Sequence, residues 1–414
     1  MGFFGRRKKT KDTHRLLDTP LAPDPAGYTP GEPVPGEIAV YFADDPRKLY
    51  QLKQWLPVFE LLDERHPVVI ITRNLASAAE LSLATSLPCV FAPTFPDLVE
   101  LYASSDFKAV VYVNNSVHNF HSLMQRRVIH LHVNHGESDK ICMVSNQVKA
   151  YDQVFVAGTA AIHRHRAALI GFDESALVPV GRPQLDLRPE PVLPPSERRT
   201  ILYAPTWEGE DASNNYTSVD VFGPEIAAAA LAVPNARVVY KPHPRVSLSP
   251  LPGMKAAHTE IVRLLESAAR HDPDAGHQVL TTGDILAVFP RCDLIVTDVS
   301  SVGLDFLYLR VDKPMFIADR YDDRDRLHAN APISRCADIV DSTTIAALTA
   351  TLTERLENDH HRDERATTRE HYFGDLGPGE STTRFLAAVD DAIALRDRRL
   401  AEKAQSDTTT GRLA

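Results

Sequence analysis

The stretch DLIVTDVSSVGLDFLYL, residues 293–309, decides the fold. It begins as an apolar, β-branched run without alternation, the pattern of a strand buried on both faces. The run stops at Thr297 and Asp298, and Ser300 and Ser301 then open an apolar helix. A buried strand that feeds directly into a helix is half of a βα unit around a parallel sheet. In such sheets ligands gather outside the carboxyl ends of the strands. Backbone N–H groups, the positive end of the helix dipole and two hydroxyls would together suit a phosphate. The plainer reading makes the serines an N-cap and nothing more.

On either side of this stretch the same alternation recurs. After a Pro-rich lead-in at 20–35, strands are predicted at 38–42, 68–72, 89–92, 109–113, 128–133 and 153–156. Leu49, Leu52, Leu56, Phe59 and Leu62 stand at helical spacing within 46–65, and 160–169 reads as a second helix. The Pro- and charge-rich stretch 183–200 reads as a linker. A second series follows, with strands at 201–204, 237–240, 294–297 and 315–318 and helices near 260–269, 302–309 and 345–357.

Two such series imply an α/β fold of GT-B type, in which two doubly wound, Rossmann-like domains face each other across a cleft. At 414 residues the chain exceeds the usual size of a single core. The expected plan is a basic then Pro-rich segment at 1–35 and a first domain, on the acceptor side, at 36–185. A linker at 186–199 leads to a second domain, on the nucleotide-donor side, at 200–378. A C-terminal helix at 379–404 would pack back across the first domain, leaving a disordered tail at 405–414.

Hydrophobic residues at 43% and charged residues at 24% are ordinary globular values, which exclude a disordered or collagenous chain. A net charge of −10 argues against nucleic acid as a partner, because phosphate-backbone binding needs a basic face. Residues 1–15 run against this balance: Arg6, Arg7, Lys8, Lys9, Lys11 and Arg15 stand with Phe3 and Phe4 against Asp12 alone. Such a segment suits the surface of an anionic membrane, at roughly 1 kcal/mol per basic residue, and it equally suits a solvated disordered terminus. The sequence lacks both an apolar run of membrane-spanning length and the apolar stretch of a secretory signal, so a cytoplasmic protein is expected. Cys89, Cys142, Cys292 and Cys336 form no CxxC pair and read as reduced, structural thiols; no metal cluster is visible.

Three further motifs follow predicted strands. VNHGESDK, 133–140, places the His135 imidazole at a strand end with Gly136 behind it, which suits a general base; His130 and His132 nearby dilute the signal. YAPTW, 203–207, offers the hydroxyl of Thr206 and the flat face of Trp207 to a base or sugar, unless Trp207 is simply buried at a strand end. YKPHPR, 240–245, holds His243 between two prolines with Lys241 and Arg245 beside it, an anion site or a surface turn. With Asp298, Ser300 and Ser301 these describe a nucleotide cleft. Neither GxxxxGK followed by Ser or Thr nor GxGxxG occurs, which weakens NTPase and dinucleotide readings.

The residues ILYAPTW (201–207), YKPHP (240–244) and above all TDVSSVGLDFLYL (297–309) resemble the CDP-glycerol glycerophosphotransferase family of teichoic-acid polymerases and primases. GRPQLD (181–186) and GEST (379–382) are similar to family segments at equivalent places, and the likeness covers about 128–386. The resemblance implies a transferase whose donor substrate is CDP-glycerol, with CMP released and an acceptor carried on a membrane lipid. His135 would then be the base, with His243, Lys241, Arg245, Ser300 and Ser301 on the diphosphate, and Thr206, Trp207, Gly136 and Asp298 on the nucleotide or substrate. One departure bears on the acceptor. Where the family usually has Thr-Pro-Leu-Lys after its His-Gly, this chain has Glu137, Ser138, Asp139 and Lys140, in a loop expected to face the acceptor or the reacting phosphate. Two rivals remain at this point: a GT-B glycosyltransferase using a UDP- or GDP-sugar, and a catalytically silent nucleotide- or membrane-binding module.

Overall fold

The computed structural model describes Thr29 and residues 31–410. The basic stretch 1–15 lies outside the described residues. Strands β1 (Ile38–Phe42), β2 (Val68–Thr72), β3 (Cys89–Phe91), β4 (Ala109–Tyr112), β5 (Ile129–His132), β6 (Gln153–Val156) and β7 (Leu177–Pro179) form one sheet in the order β3-β2-β1-β4-β5-β6-β7. A second sheet holds β8 (Arg199–Ala204), β9 (Ala236–Tyr240), β10 (Gln278–Val279), β11 (Leu294–Thr297), β12 (Met315–Ala318) and β13 (Asp338–Val340) in the order β10-β9-β8-β11-β12-β13. Every pairing is parallel.

Successive residues of the strands point to opposite faces, and both faces are covered. Ile38, Val40 and Phe42 enter one hydrophobic cluster, while Ala39 and Tyr41 enter another. Leu202 and Ala204 are divided from Ile201 and Tyr203 in the same way. This two-sided burial explains why these strands read as unbroken apolar runs. The two doubly wound sheets make the α/β architecture of GT-B type expected from the sequence. In the second sheet the order reverses between β8 and β11, the kind of point where open α/β sheets bind ligands. YAPTW leaves β8 there, and TDVSS leaves β11.

Several elements differ from the sequence reading. The helix expected over 46–65 is broken into a 3-10 turn, Pro46–Lys48, and the helices Tyr50–Lys53 and Leu56–Asp63. Pro57 lacks an N–H and sits in the first turn of the last piece, where a helix can start but not continue. The stretch read as a linker contains a short helix, Pro183–Asp186, and its Leu185 and Leu193 are buried in the second domain's core. The tail expected from 405 is instead helix as far as Thr410, in a helix beginning at Glu380; residues 411–414 lie outside the described residues. Phe385, Leu386, Val389, Ala392 and Ile393, at helical spacing, pack into the core of the first sheet, with the Phe385 and Trp55 rings 5.4 Å apart. Of the four free cysteines Cys142 is exposed, so only the other three fill core positions.

Candidate active site

Two loops from different sheets bring their histidines to one aromatic ring. His135 follows β5, on a loop turned by Asn134 in the left-handed region (φ 54°) and held by the Trp55 indole N–H, which donates to the Asn134 carbonyl at 2.6 Å. His243 follows β9, and its backbone N–H donates to the Pro205 carbonyl at 3.0 Å. The Tyr50 ring meets both imidazoles edge-on, with centroids 6.1 Å from His135 and 5.9 Å from His243. Sequence reasoning missed Tyr50, because its place in a run of helix-spaced leucines gave it no separate signal.

The two imidazoles differ in what they hold. His243 Nδ1 accepts the Arg245 backbone N–H at 3.2 Å, so its proton is on Nε2 when the ring is neutral. His135 Nδ1 is buried without a hydrogen-bond partner. Burial lowers both pKa values, His135 to about 4 and His243 to about 3. Nearby cations add to this, Arg182, Lys140 and Lys48 at His135 and Lys140, Arg245 and Lys241 at His243. Both rings are therefore neutral near pH 7. By contrast, His130 and His132 belong to the interior: His130 bonds to the Tyr112 hydroxyl and the Gln125 carbonyl, and His132 stacks on Tyr151.

The helix Ser301–Leu309 begins beside them. Ser300 stands in the extended N-cap position, yet its side chain makes no capping bond and its Oγ is buried without a partner. Ser300 is thus the N-cap by position without a side-chain capping bond, which leaves a hydroxyl beside the N–H groups of the first helical turn. Gly136 lies against this helix start: a Cβ on it would come 3.3 Å from Ser301 Cβ. The loop bearing His135 thus rests on the helix that follows β11.

Asp298 is fully buried, and its two oxygens accept the backbone N–H groups of Thr206 (2.7 Å) and Ser218 (3.1 Å). Burial raises its pKa to about 7. It was expected to contact the nucleotide or substrate; with no exposed surface, it instead ties the β8 loop to the β11 loop across the reversal in strand order. Thr206 Oγ1 accepts Lys140 Nζ at 2.8 Å. Trp207 was expected to offer a flat face to a base or sugar. Its ring, half-buried, stacks with the Arg245 guanidinium at 3.7 Å and the His243 imidazole at 5.9 Å. Arg245 also pairs with Glu210 at 2.8 Å, while Lys241 is buried, which lowers its pKa.

The divergent loop was expected to face the acceptor or the reacting phosphate, and its two acids are held by the protein's own side chains. Glu137 and Asp139 are buried; both pair with Arg164 of the helix Thr159–Ala168, and Tyr372 donates to Asp139. Only Lys140 crosses toward Thr206. GRPQLD and GEST meet each other: Ser381 Oγ donates to the Val180 carbonyl at 2.8 Å, and the Thr382 N–H to Asp186 at 2.7 Å. Gly181, at φ 77°, has no room for a Cβ, which would stand 2.5 Å from Ser381 Oγ and from Leu376. Arg182, next along, pairs with Asp305 at 3.1 Å and is the largest cationic influence on His135. Among the described residues, no group of three or more His, Cys, Asp or Glu is placed to hold a metal ion, and no helix is long and apolar enough to cross a membrane.

Comparison with known proteins bears on this site. The model of the family described as CDP-Glycerol:Poly(glycerophosphate) glycerophosphotransferase matches residues 107–390. No relative among the curated proteins matches the sequence. Among solved structures the chain is similar to the wall teichoic acid polymerase TagF, soaked with CDPG, at 13% identity and a TM-score of 0.55, over 87% of this chain and 89% of that one. It is also similar to a glycosyltransferase from Rickettsia africae at 11% identity and a TM-score of 0.52, over 87% and 98%. At these identities the solved structures speak to the fold, and the family match speaks to the chemistry. The chain belongs to the CDP-glycerol:poly(glycerophosphate) glycerophosphotransferase family, which uses CDP-glycerol as its donor substrate, and is a transferase of that type.

Proposed function

We propose that this transferase moves glycerol phosphate, or a related phospho-polyol, from a CDP-activated donor to a hydroxyl of a lipid-linked cell-wall polymer or its precursor, releasing CMP. One observation carries the reading: His135 and His243 meet at the Tyr50 ring, beside a helix start with a buried, unpaired serine hydroxyl. The acceptor oxygen attacks the β-phosphorus, the bond from that phosphorus to the bridging oxygen breaks, and CMP leaves with the electron pair. His135, neutral near pH 7, takes the hydroxyl proton. A base of pKa about 4 is weak; burial is the main cause and the neighbouring cations add to it, and a bound diphosphate offsets the share of the cations. His243 has its Nδ1 occupied and donates from Nε2 to the diphosphate. Ser300, Ser301, Lys241 and the helix N–H groups bind the remaining phosphate oxygens, and Arg245 supports them from the face of Trp207. Gly136 lets the base approach the helix, and Asp298 and Thr206 hold the donor-side loops.

A lipid-linked acceptor gives the basic residues of 1–15 a surface to meet, placing a cytoplasmic protein on the inner face of the membrane. The test is which nucleotide leaves when CDP-glycerol, UDP-sugars and GDP-sugars are each supplied with a soluble acceptor analogue. CMP is expected. Release of UDP or GDP would turn the reading to glycosyl transfer, and tight nucleotide binding without turnover of any donor would make the chain a silent module.

A further inference from the structure

Lys140 reaches from the divergent loop to the second domain and carries its charge there without a carboxylate partner among the described residues. Most other cations beside the two imidazoles are paired: Arg182 with Asp305 at 3.1 Å, Lys48 with Asp44 at 3.4 Å and Arg245 with Glu210 at 2.8 Å. Lys140 Nζ instead donates to a neutral hydroxyl, Thr206 Oγ1 at 2.8 Å, and lies 5.7 Å from the centre of the Tyr216 ring. Asp298 adds only a longer-range attraction, and both its oxygens already accept backbone N–H groups. An ammonium has further N–H donors beyond the one spent on Thr206. The residue is half-buried and lines a cavity of about 400 Å³ walled by both domains. A charge drawn this far from water costs stability unless an anion meets it.

The strand order says which part of the donor this ammonium meets. Thr206 follows β8, which lies between β9 and β11 in the second sheet. The loop after β9 carries His243 and the loop after β11 carries Ser300, each about one strand-spacing of 4.8 Å away. Lys140 is thus tethered between two groups that hold the diphosphate, where the bridging oxygen lies. In keeping with this place between the loops, it is the largest cationic influence on His243 and, after Arg182, the next largest on His135. Resting on the donor reading above, we propose that Lys140 is a further catalytic residue, whose ammonium donates a hydrogen bond to the oxygen bridging the donor's two phosphorus atoms. As the acceptor oxygen bonds to the β-phosphorus and the bond from that phosphorus to the bridging oxygen breaks, the electron pair stays on the bridging oxygen. The ammonium neutralises the charge that grows there and keeps its own proton, and CMP leaves as the anion. The first domain thereby supplies a cation to the leaving group bound by the second.

The test follows CMP release from CDP-glycerol with a soluble acceptor analogue, together with melting temperature, for the full chain as wild type, Lys140→Met and Lys140→Ala. Lys140→Met should lower kcat about a hundredfold, the scale of one lost electrostatic donor at a developing oxyanion. Its KM for the donor should rise less than about tenfold, because most of the charge on the bridging oxygen arises in the transition state. Its melting temperature should be unchanged or higher, since an unpaired charge gives way to an apolar chain of similar length. Ethylammonium should raise the turnover of Lys140→Ala severalfold and leave wild type unchanged. Wild-type turnover by Lys140→Met overturns this inference alone. A loss of turnover that ethylammonium does not reverse and that comes with a lowered melting temperature does the same, since Lys140 would then be a strut between the domains. If wild type releases no CMP from CDP-glycerol, the donor reading fails and this inference fails with it.

Discussion

His135 and His243 flank the same tyrosine ring, and burial keeps both imidazoles neutral, yet the loops that carry them are built differently. The His243 loop is short and local: two prolines limit its backbone, its own Arg245 N–H fixes the ring tautomer, and Arg245 folds back over Trp207. The His135 loop is held from a distance. Trp55 fixes its turn, Ser301 supports Gly136, and Glu137 and Asp139 anchor it through Arg164 and Tyr372. A group that only donates to a diphosphate needs a fixed tautomer. The His135 ring is not fixed in this way: the loop is held by residues on either side of the histidine, while its buried Nδ1 has no hydrogen-bond partner.

The sharpest way to break the comparison is to cut the distant anchor. Arg164→Ala leaves Glu137 and Asp139 buried without their cation, and breaking a buried pair in this way costs about 3–5 kcal/mol. Urea denaturation should show a loss on that scale. A change below about 1 kcal/mol would mean that the cluster does not hold the His135 loop, since exposed ion pairs contribute no more than that.

A smaller effect is expected where the two loops share a support. Replacing both Ser300 and Ser301 by Ala removes the hydroxyls but keeps the Cβ on which Gly136 rests. The Michaelis constant for donor should rise about tenfold, as for a lost hydrogen bond to a charged group, with stability unchanged or raised because the buried Ser300 Oγ has no partner to lose. Unchanged kinetics would remove this helix start from the donor site.

The local loop was also the more legible of the two. YKPHPR contains, in adjacent residues, nearly everything that shapes His243. The same holds for the strands buried on both faces, whose apolar runs are continuous. The strands that went unread, β7, β10 and β13, are sheet edges and carry a terminal proline, a glutamine or an aspartate, so they lack that signal. The shaping of His135 was hidden for a different reason. Tyr50, Trp55, Arg164 and Tyr372 come from distant parts of the chain, and no periodicity marks a residue that acts across the fold. The same gap hid the burial of Glu137 and Asp139, whose partner Arg164 lies well apart from them in the sequence.

The division of labour between the two histidines is tested most directly by measuring CDP-glycerol affinity and turnover for His135→Ala and His243→Ala side by side. His135→Ala should bind the donor within about twofold of wild type and turn it over at least a hundredfold more slowly, the lower range for a lost general base. His243→Ala should weaken donor binding about tenfold and lower turnover as well, because its ring contacts charge present before and during the reaction. Wild-type turnover by His135→Ala, or undiminished donor affinity in His243→Ala, would contradict the account.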